Sequence, residues 1–219
     1  MKKFKWLLWI MFVGIALYTL AFLNGFGGET IPKNRTKEQY EFEKTFEPIF
    51  EFLEKDKKEF TGLKLYKNSI YIESGNAVKD YEVSLDTSQS DIKGDYTIKI
   101  GDNKETVPVT YSNGKLNYSS EITPLFDEEM LNLVLQRDYF ASLNIKETFK
   151  SAETESSDII YQPENHSELF KKLKSKYDLP EDTTCRIRVR YSSSSIYGIT
   201  IQLNSKTKTV QLDLTIFKQ

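Results

Sequence analysis

An uncharged run of eighteen residues, Trp6 to Leu23, directly follows Met1-Lys-Lys-Phe-Lys5 and constrains this chain more than any other stretch. A helix rising 1.5 Å per residue would make it about 27 Å long, close to the ~30 Å hydrocarbon thickness of a bilayer. Two readings compete. A cleaved signal peptide has an apolar region of about 7 to 15 residues and a small-x-small cleavage site. Here the run is longer, and only Gly25 and Gly27 resemble such a site. The preferred expectation is therefore a retained transmembrane signal anchor over residues 1–23, with the membrane as a partner through residues 6–23. Flanking cations tie, with Lys2, Lys3 and Lys5 before the run and Lys33, Arg35 and Lys37 after it. The first three are packed tightly against the run, which favours a cytoplasmic N-terminus and a single-pass protein with an extracytoplasmic body.

The charge balance narrows the partners. The chain has 30 Lys+Arg and 32 Asp+Glu; removing residues 1–28 takes three lysines and no acid, which leaves 27 − 32 = −5. A mildly acidic body lacks the basic footprint a general nucleic-acid binder needs to displace counterions. Cys185 is the sole cysteine, so no intrachain disulfide can form. An exported domain without disulfides fits the cell envelope of a Gram-positive bacterium. The N-x-S/T triplets at Asn34, Asn117 and Asn165 are read as chance.

Residues 24–35, rich in glycine with Pro32, read as a flexible linker. Thr36 then caps a helix whose Phe42, Phe46, Ile49, Phe50 and Leu53 form one apolar stripe. Pro48 predicts a kink, or two short helices with the proline in the first turn of the second, ending near Lys58. From Leu63 to Ile122 the period changes from 3.6 to 2. Short alternating runs around Leu63, Ile70, Val83, Ile98 and Val109 are separated by turn residues, Lys67-Asn68 and Asn113-Gly114 among them. Asn-Gly is the strongest of these signals, because it favours the type I′ turn of a hairpin.

Thr123-Pro124 starts a second helical region, restarting after Arg137 and reaching about Asn144. Phe149 and Ile159-Ile-Tyr161 read as short strands around a turn at Thr154–Asp158, and residues 164–177 as a further helix closed by Pro180. Three alternating runs end the chain, through Ile187-Val189-Tyr191, Ile199-Ile201-Leu203 and Val210 to Ile216. The fold class is α+β: an N-terminal transmembrane helix, then antiparallel meanders each packed with helices. This invites two similar halves, 36–122 and 123–219, with one continuous sheet shared by both as the alternative.

No catalytic or cofactor signature stands out. His166 is the single histidine, which makes a multi-histidine metal site impossible as written, and its place at a helix start reads as a surface residue and not as a catalytic one. Cys185 shares strand parity with Ile187 and Val189 and reads as a small core hydrophobe. Phosphate-cradling glycine loops, Rossmann patterns and zinc spacings do not occur. No cofactor and no metal are expected. One constellation rises above this background: Arg186, Arg188 and Arg190 alternate with core residues, which lines three guanidiniums along one strand face. Three like charges need a neutraliser, and Asp213 is the available cross-strand carboxylate. If they are not fully neutralised, guanidinium forks grip carboxylates and phosphates bidentately. The neighbouring loop from Tyr191 to Tyr197, with four serines, has the composition of a recognition surface.

The expectation is a membrane-anchored, extracytoplasmic, non-enzymatic protein that binds a partner protein or an anionic envelope component through Arg186, Arg188, Arg190, Tyr191 and Tyr197. Alternatives are an immunity or inhibitor protein against a secreted toxin or hydrolase, and an envelope hydrolase that uses acidic residues.

Overall fold

Period-two patterning over most of the chain becomes ten strands in the computed structural model, which describes residues 31–55, 60–120, 133–192 and 195–219. They are β1 (Leu63–Ser74), β2 (Ala77–Asp86), β3 (Lys93–Ile100), β4 (Asn103–Ser112), β5 (Lys115–Tyr118), β6 (Asn144–Ser151), β7 (Ser156–Gln162), β8 (Thr184–Ser192), β9 (Ile196–Asn204) and β10 (Lys208–Lys218). Four α-helices are described with them: α1 (Lys37–Glu43), α2 (Glu47–Glu54), α3 (Arg137–Ser142) and α4 (Glu168–Lys176). All ten strands belong to one antiparallel sheet in the order β5-β4-β3-β2-β1-β10-β9-β8-β7-β6.

This corrects the expected fold class. The two meanders are not separate α+β halves, because β1 pairs with β10 along nearly its whole length, Tyr66 opposite Ile216 and Ile70 opposite Leu212. Pairing of the first and last strands merges the meanders at the middle of the sheet, and residues 34–219 form one unit. The membrane part of the expectation is corrected as well. No helix among the described residues is long and apolar enough to cross a membrane. The described α-helices have six to nine residues, where a span needs about 20. The stretch 6–23 lies outside the described residues, and hydropathy alone fixed only its capacity to span. The signal anchor and the single-pass localisation thus have no structural support. The expected helix start at Thr123-Pro124 also falls outside the described residues.

Local chemistry accounts for the first helices. The Thr36 side chain accepts from the Gln39 amide at 3.1 Å while the Gln39 side chain accepts from the Thr36 amide at 2.9 Å, a reciprocal capping box. Pro48 sits in the first turn of α2, where its missing N–H costs nothing. Phe46, Ile49, Phe50 and Leu53 are buried against the sheet. Phe50 meets Phe140 of α3 at 4.7 Å between ring centroids, and Phe140 meets Tyr161 of β7 at 5.6 Å.

One strand detail departs from the expected pattern. Lys67-Asn68 is no turn: a register shift between Leu63 and Leu65 resets the phase of β1, so Tyr66, Asn68 and Ile70 face the core on one long strand. Asn68 is fully buried and its Nδ2 donates to the Tyr66 hydroxyl at 3.0 Å. The hairpin at Asn113-Gly114 forms as expected, with φ of 52° and 80°. At Gly94 the β2 backbone approaches so closely that a Cβ would lie 1.8 Å from the Ser84 carbonyl oxygen.

The last residues of the expected linker belong to the folded unit. Arg35 donates through Nε and Nη2 to the Glu43 carboxylate at 3.0 and 3.2 Å, and to the carbonyls of Leu143 and Phe140 at 2.6 and 2.9 Å. Tyr161 donates its hydroxyl to the same carboxylate at 2.6 Å. Burial, reinforced by the Glu43 charge, holds that phenol well above its ordinary pKa and keeps it a donor. The cluster ties the chain before α1 to α3 and β7 with every charge partnered.

Two outcomes follow from this packing. Gly94→Ala should lose about 2 kcal/mol or more in urea unfolding, since backbone must shift to admit the methyl group. Gly198→Ala, whose nearest neighbours to a new Cβ are at 3.4 and 3.5 Å, should stay within about 1 kcal/mol of the parent. Arg35→Met should cost ~3–5 kcal/mol in the same measurement, because Glu43 is left charged and buried, and Arg35→Met with Glu43→Leu should recover part of that loss.

Candidate functional site

Strand alternation divides the sheet into two unlike faces. Cys185, Ile187 and Val189 of β8 point to the helices and are buried. Arg186, Arg188 and Arg190 point the other way, together with Thr200 and Gln202 of β9 and Gln211 and Asp213 of β10. Antiparallel register sets these side chains in two cross-strand rows. One runs Arg186, Gln202, Gln211; the next runs Arg188, Thr200, Asp213. With Ile160 of β7 and Arg190 they line a trough of about 300 Å³.

The structure therefore brings the three arginines together, but their main counter-charge differs from the expected one. Asp158 of β7 stands opposite Arg190 in register and is 7 % exposed at the side chain. Its Oδ2 accepts from Arg188 Nη2 at 2.5 Å, and its Oδ1 accepts from Arg188 Nε at 3.1 Å and Arg190 Nε at 3.2 Å. One buried carboxylate thus fixes two guanidiniums by their Nε edges and leaves Arg188 Nη1 and both terminal nitrogens of Arg190 outside those bonds. Arg186 is exposed and makes no ion pair or hydrogen bond among the described residues. Asp213 is engaged by neutral donors: Thr200 Oγ1 donates to it at 2.5 Å and Gln211 Nε2 at 2.7 Å.

Tyr191 and Tyr197 do not join the arginines. They stack on each other with centroids 4.9 Å apart and pack against the core, on the face opposite the trough. Their parity with Val189 and Ile199 already placed them there. Asp158 was the residue missed: it was assigned to a turn, whereas β7 begins at Ser156 and carries it into register with Arg190.

Farther along the same face carboxylates stand among lysines. Asp80 on β2 stands opposite Tyr71, which stands opposite Gln211. Burial raises the Asp80 pKa above its ordinary value, and the Glu82 and Asp213 carboxylates raise it further against the lowering effect of Lys99. The outer face thus carries guanidiniums at β8 and, from β10 to β2, the carboxylates Asp213, Asp80 and Glu82, with Lys67 paired to Glu82 at 3.9 Å and Lys99 opposite Asp80. The remaining reactive side chains lie elsewhere. Burial pushes the Cys185 thiol up to about 12, and His166 is an exposed partner of Glu164 at 2.6 Å before α4. Among the described residues no group of three or more His, Cys, Asp or Glu is placed to hold a metal ion.

No family model matches this sequence, and no curated protein is similar to it in sequence. Among solved structures it is similar to an N-terminal dehydratase from the difficidin assembly line, at 8% identity over 72% of this chain and 78% of the other, with a TM-score of 0.18. The dehydratase domain from the CurH module of curacin polyketide synthase gives 9% identity over the same shares, with a TM-score of 0.16. Superposition at that level supports no common fold and no transfer of activity.

The raised Asp80 pKa carries a stability consequence. A carboxyl that holds its proton more tightly when folded contributes stability below its unfolded pKa of about 3.9 and loses it as pH rises through the higher folded value. Asp80→Asn should therefore raise the Tm at pH 7 relative to the parent, and leave it unchanged at pH 3, as read by thermal denaturation.

Proposed function

We propose that this protein is a non-enzymatic binding module that docks an acidic group of a partner protein on the outer face of its sheet, at Arg186, Arg188 and Arg190. The observation that carries this reading is the state of Arg186. It stands exposed without a counter-ion among the described residues, beside two arginines already oriented by a buried carboxylate. Guanidiniums fixed in this way lose little side-chain entropy on gripping a carboxylate.

Chemistry offers less support for an acidic-residue hydrolase. Such a site needs two carboxylates facing one cleft with their pKa values pushed apart. Asp80, whose pKa is raised, stands outside the trough lining, and the single histidine and cysteine do not line it either.

A photoreactive amino acid at Gln202, in the floor of the trough, tests the reading in cells. Crosslinks to a partner should form in the parent and disappear in Arg186→Gln, which leaves the Asp158 network intact, and in the Arg186, Arg188 and Arg190 triple change to Gln. Undiminished crosslinks in folded variants would remove the arginine face as the docking site.

A further inference from the structure

The trough is not a simple basic patch, and its second half restricts what can occupy it. Arg188, Thr200 and Asp213 lie in one cross-strand row, so guanidinium and carboxylate are separated by two interstrand steps, about 10 Å between Cα atoms. Asp213 has no cationic partner among the described residues; its two oxygens accept only from a hydroxyl and an amide. Beyond it, on β2, Glu82 is paired with Lys67 at 3.9 Å and Asp80 faces Lys99, so Asp213 is the carboxylate of this region left without a cation among the described residues. A purely acidic ligand held by Arg186 and Arg188 would set its second charge against the Asp213 carboxylate. A phosphodiester chain would meet the same repulsion. Between the two charged ends lie Thr200 and Gln202 on β9, and the Gln202 amide can both donate to and accept from a peptide backbone.

The geometry points to a mixed-charge docking segment: an extended stretch of the partner protein, of the form Glu-x-Lys, that sets its carboxylate on Arg186 and Arg188 and its ammonium on Asp213. In an extended chain the side chains at i and i+2 share a face about 7 Å apart. The four-carbon lysine stem covers the remaining few ångströms. A trough of about 300 Å³ suits a pair of side chains better than a large cofactor. This inference rests on the proposed arginine docking site and adds the requirement for a cation.

Fluorescein-labelled peptides that carry Glu-x-Lys, Glu-x-Glu or Lys-x-Lys in a neutral Ser-Gly context, titrated with the full chain and read by fluorescence anisotropy, test it. The Glu-x-Lys peptide should bind about tenfold or more tighter than the other two. Arg186→Gln should abolish that binding, and Asp213→Asn, which keeps a hydrogen-bonding group beside Thr200 and Gln211, should erase the preference over Glu-x-Glu. Glu-x-Glu binding as tightly as Glu-x-Lys, with Asp213→Asn neutral or strengthening, would overturn the mixed-charge segment and leave the acidic docking reading standing. Competition by inorganic polyphosphate at equal charge concentration would also overturn it. Glu-x-Lys binding unchanged by Arg186→Gln would overturn both, and thermal melts of each variant separate loss of binding from loss of fold.

Discussion

Pairing of β1 with β10 is the constraint on which the rest of the architecture depends. It joins strands that lie far apart in the chain, from Tyr66 opposite Ile216 to Ile72 opposite Val210. Loop-closure entropy grows only logarithmically with the length of chain enclosed, so the cost of this junction is bounded. Its return is larger, since each residue on the core face of β1 and β10 becomes a central-strand residue with neighbours on both sides. Tyr66, Ile70, Val210, Leu212, Leu214 and Ile216 are all essentially buried as a result. Without the junction, each meander would present an open central edge, a row of unpaired backbone groups prone to association.

A second long-range tie holds the helices to that sheet. Arg35, Glu43 and Tyr161 come from three separate parts of the chain and close one buried polar cluster. Such a cluster contributes little net stability over an apolar replacement of equal shape, but it penalises every arrangement that separates its members. It fixes where the chain enters α1 and where α3 sits relative to β7. Phe50, Phe140 and Tyr161 then pack in the geometry that the cluster defines.

The outer face shows how one tertiary pairing changes the meaning of a sequence feature. Three alternating arginines would repel on an isolated strand. Here the hairpin β6–β7 places Asp158 against β8, and a carboxylate shielded from water binds two guanidiniums at once. Arg186 makes no ion pair with it and lines the trough beside Gln202. Asp213, the carboxylate expected to neutralise the row, is instead held by the neutral donors Thr200 and Gln211 and has no cationic partner among the described residues.

Much of this was legible in the residues, because local signals act over a few positions. The helix start at Thr36, the break at Pro48, the turn at Asn113-Gly114 and the alternation of β8, β9 and β10 each rest on local capping, on backbone sterics or on side-chain period. The arginine row and its common face follow from the same period of two. Other features depended on partners distant in sequence, which no local pattern encodes. Whether two meanders stay separate or merge is decided by the match between β1 and β10. The phase of β1 was reset by a bulge, so Asn68 entered the core where a turn was expected. Asp158 became the counter-charge only through the register of β7 on β8, and Arg35 left the expected linker because Glu43 and two carbonyls of the α3 end await it. Sequence by itself determined most of the elements and, where the period of two ran unbroken as in β8, the face each side chain takes; tertiary structure decided the phase of β1 and which charges meet, because Coulomb attraction and burial act between residues that only the folded sheet brings within a few ångströms.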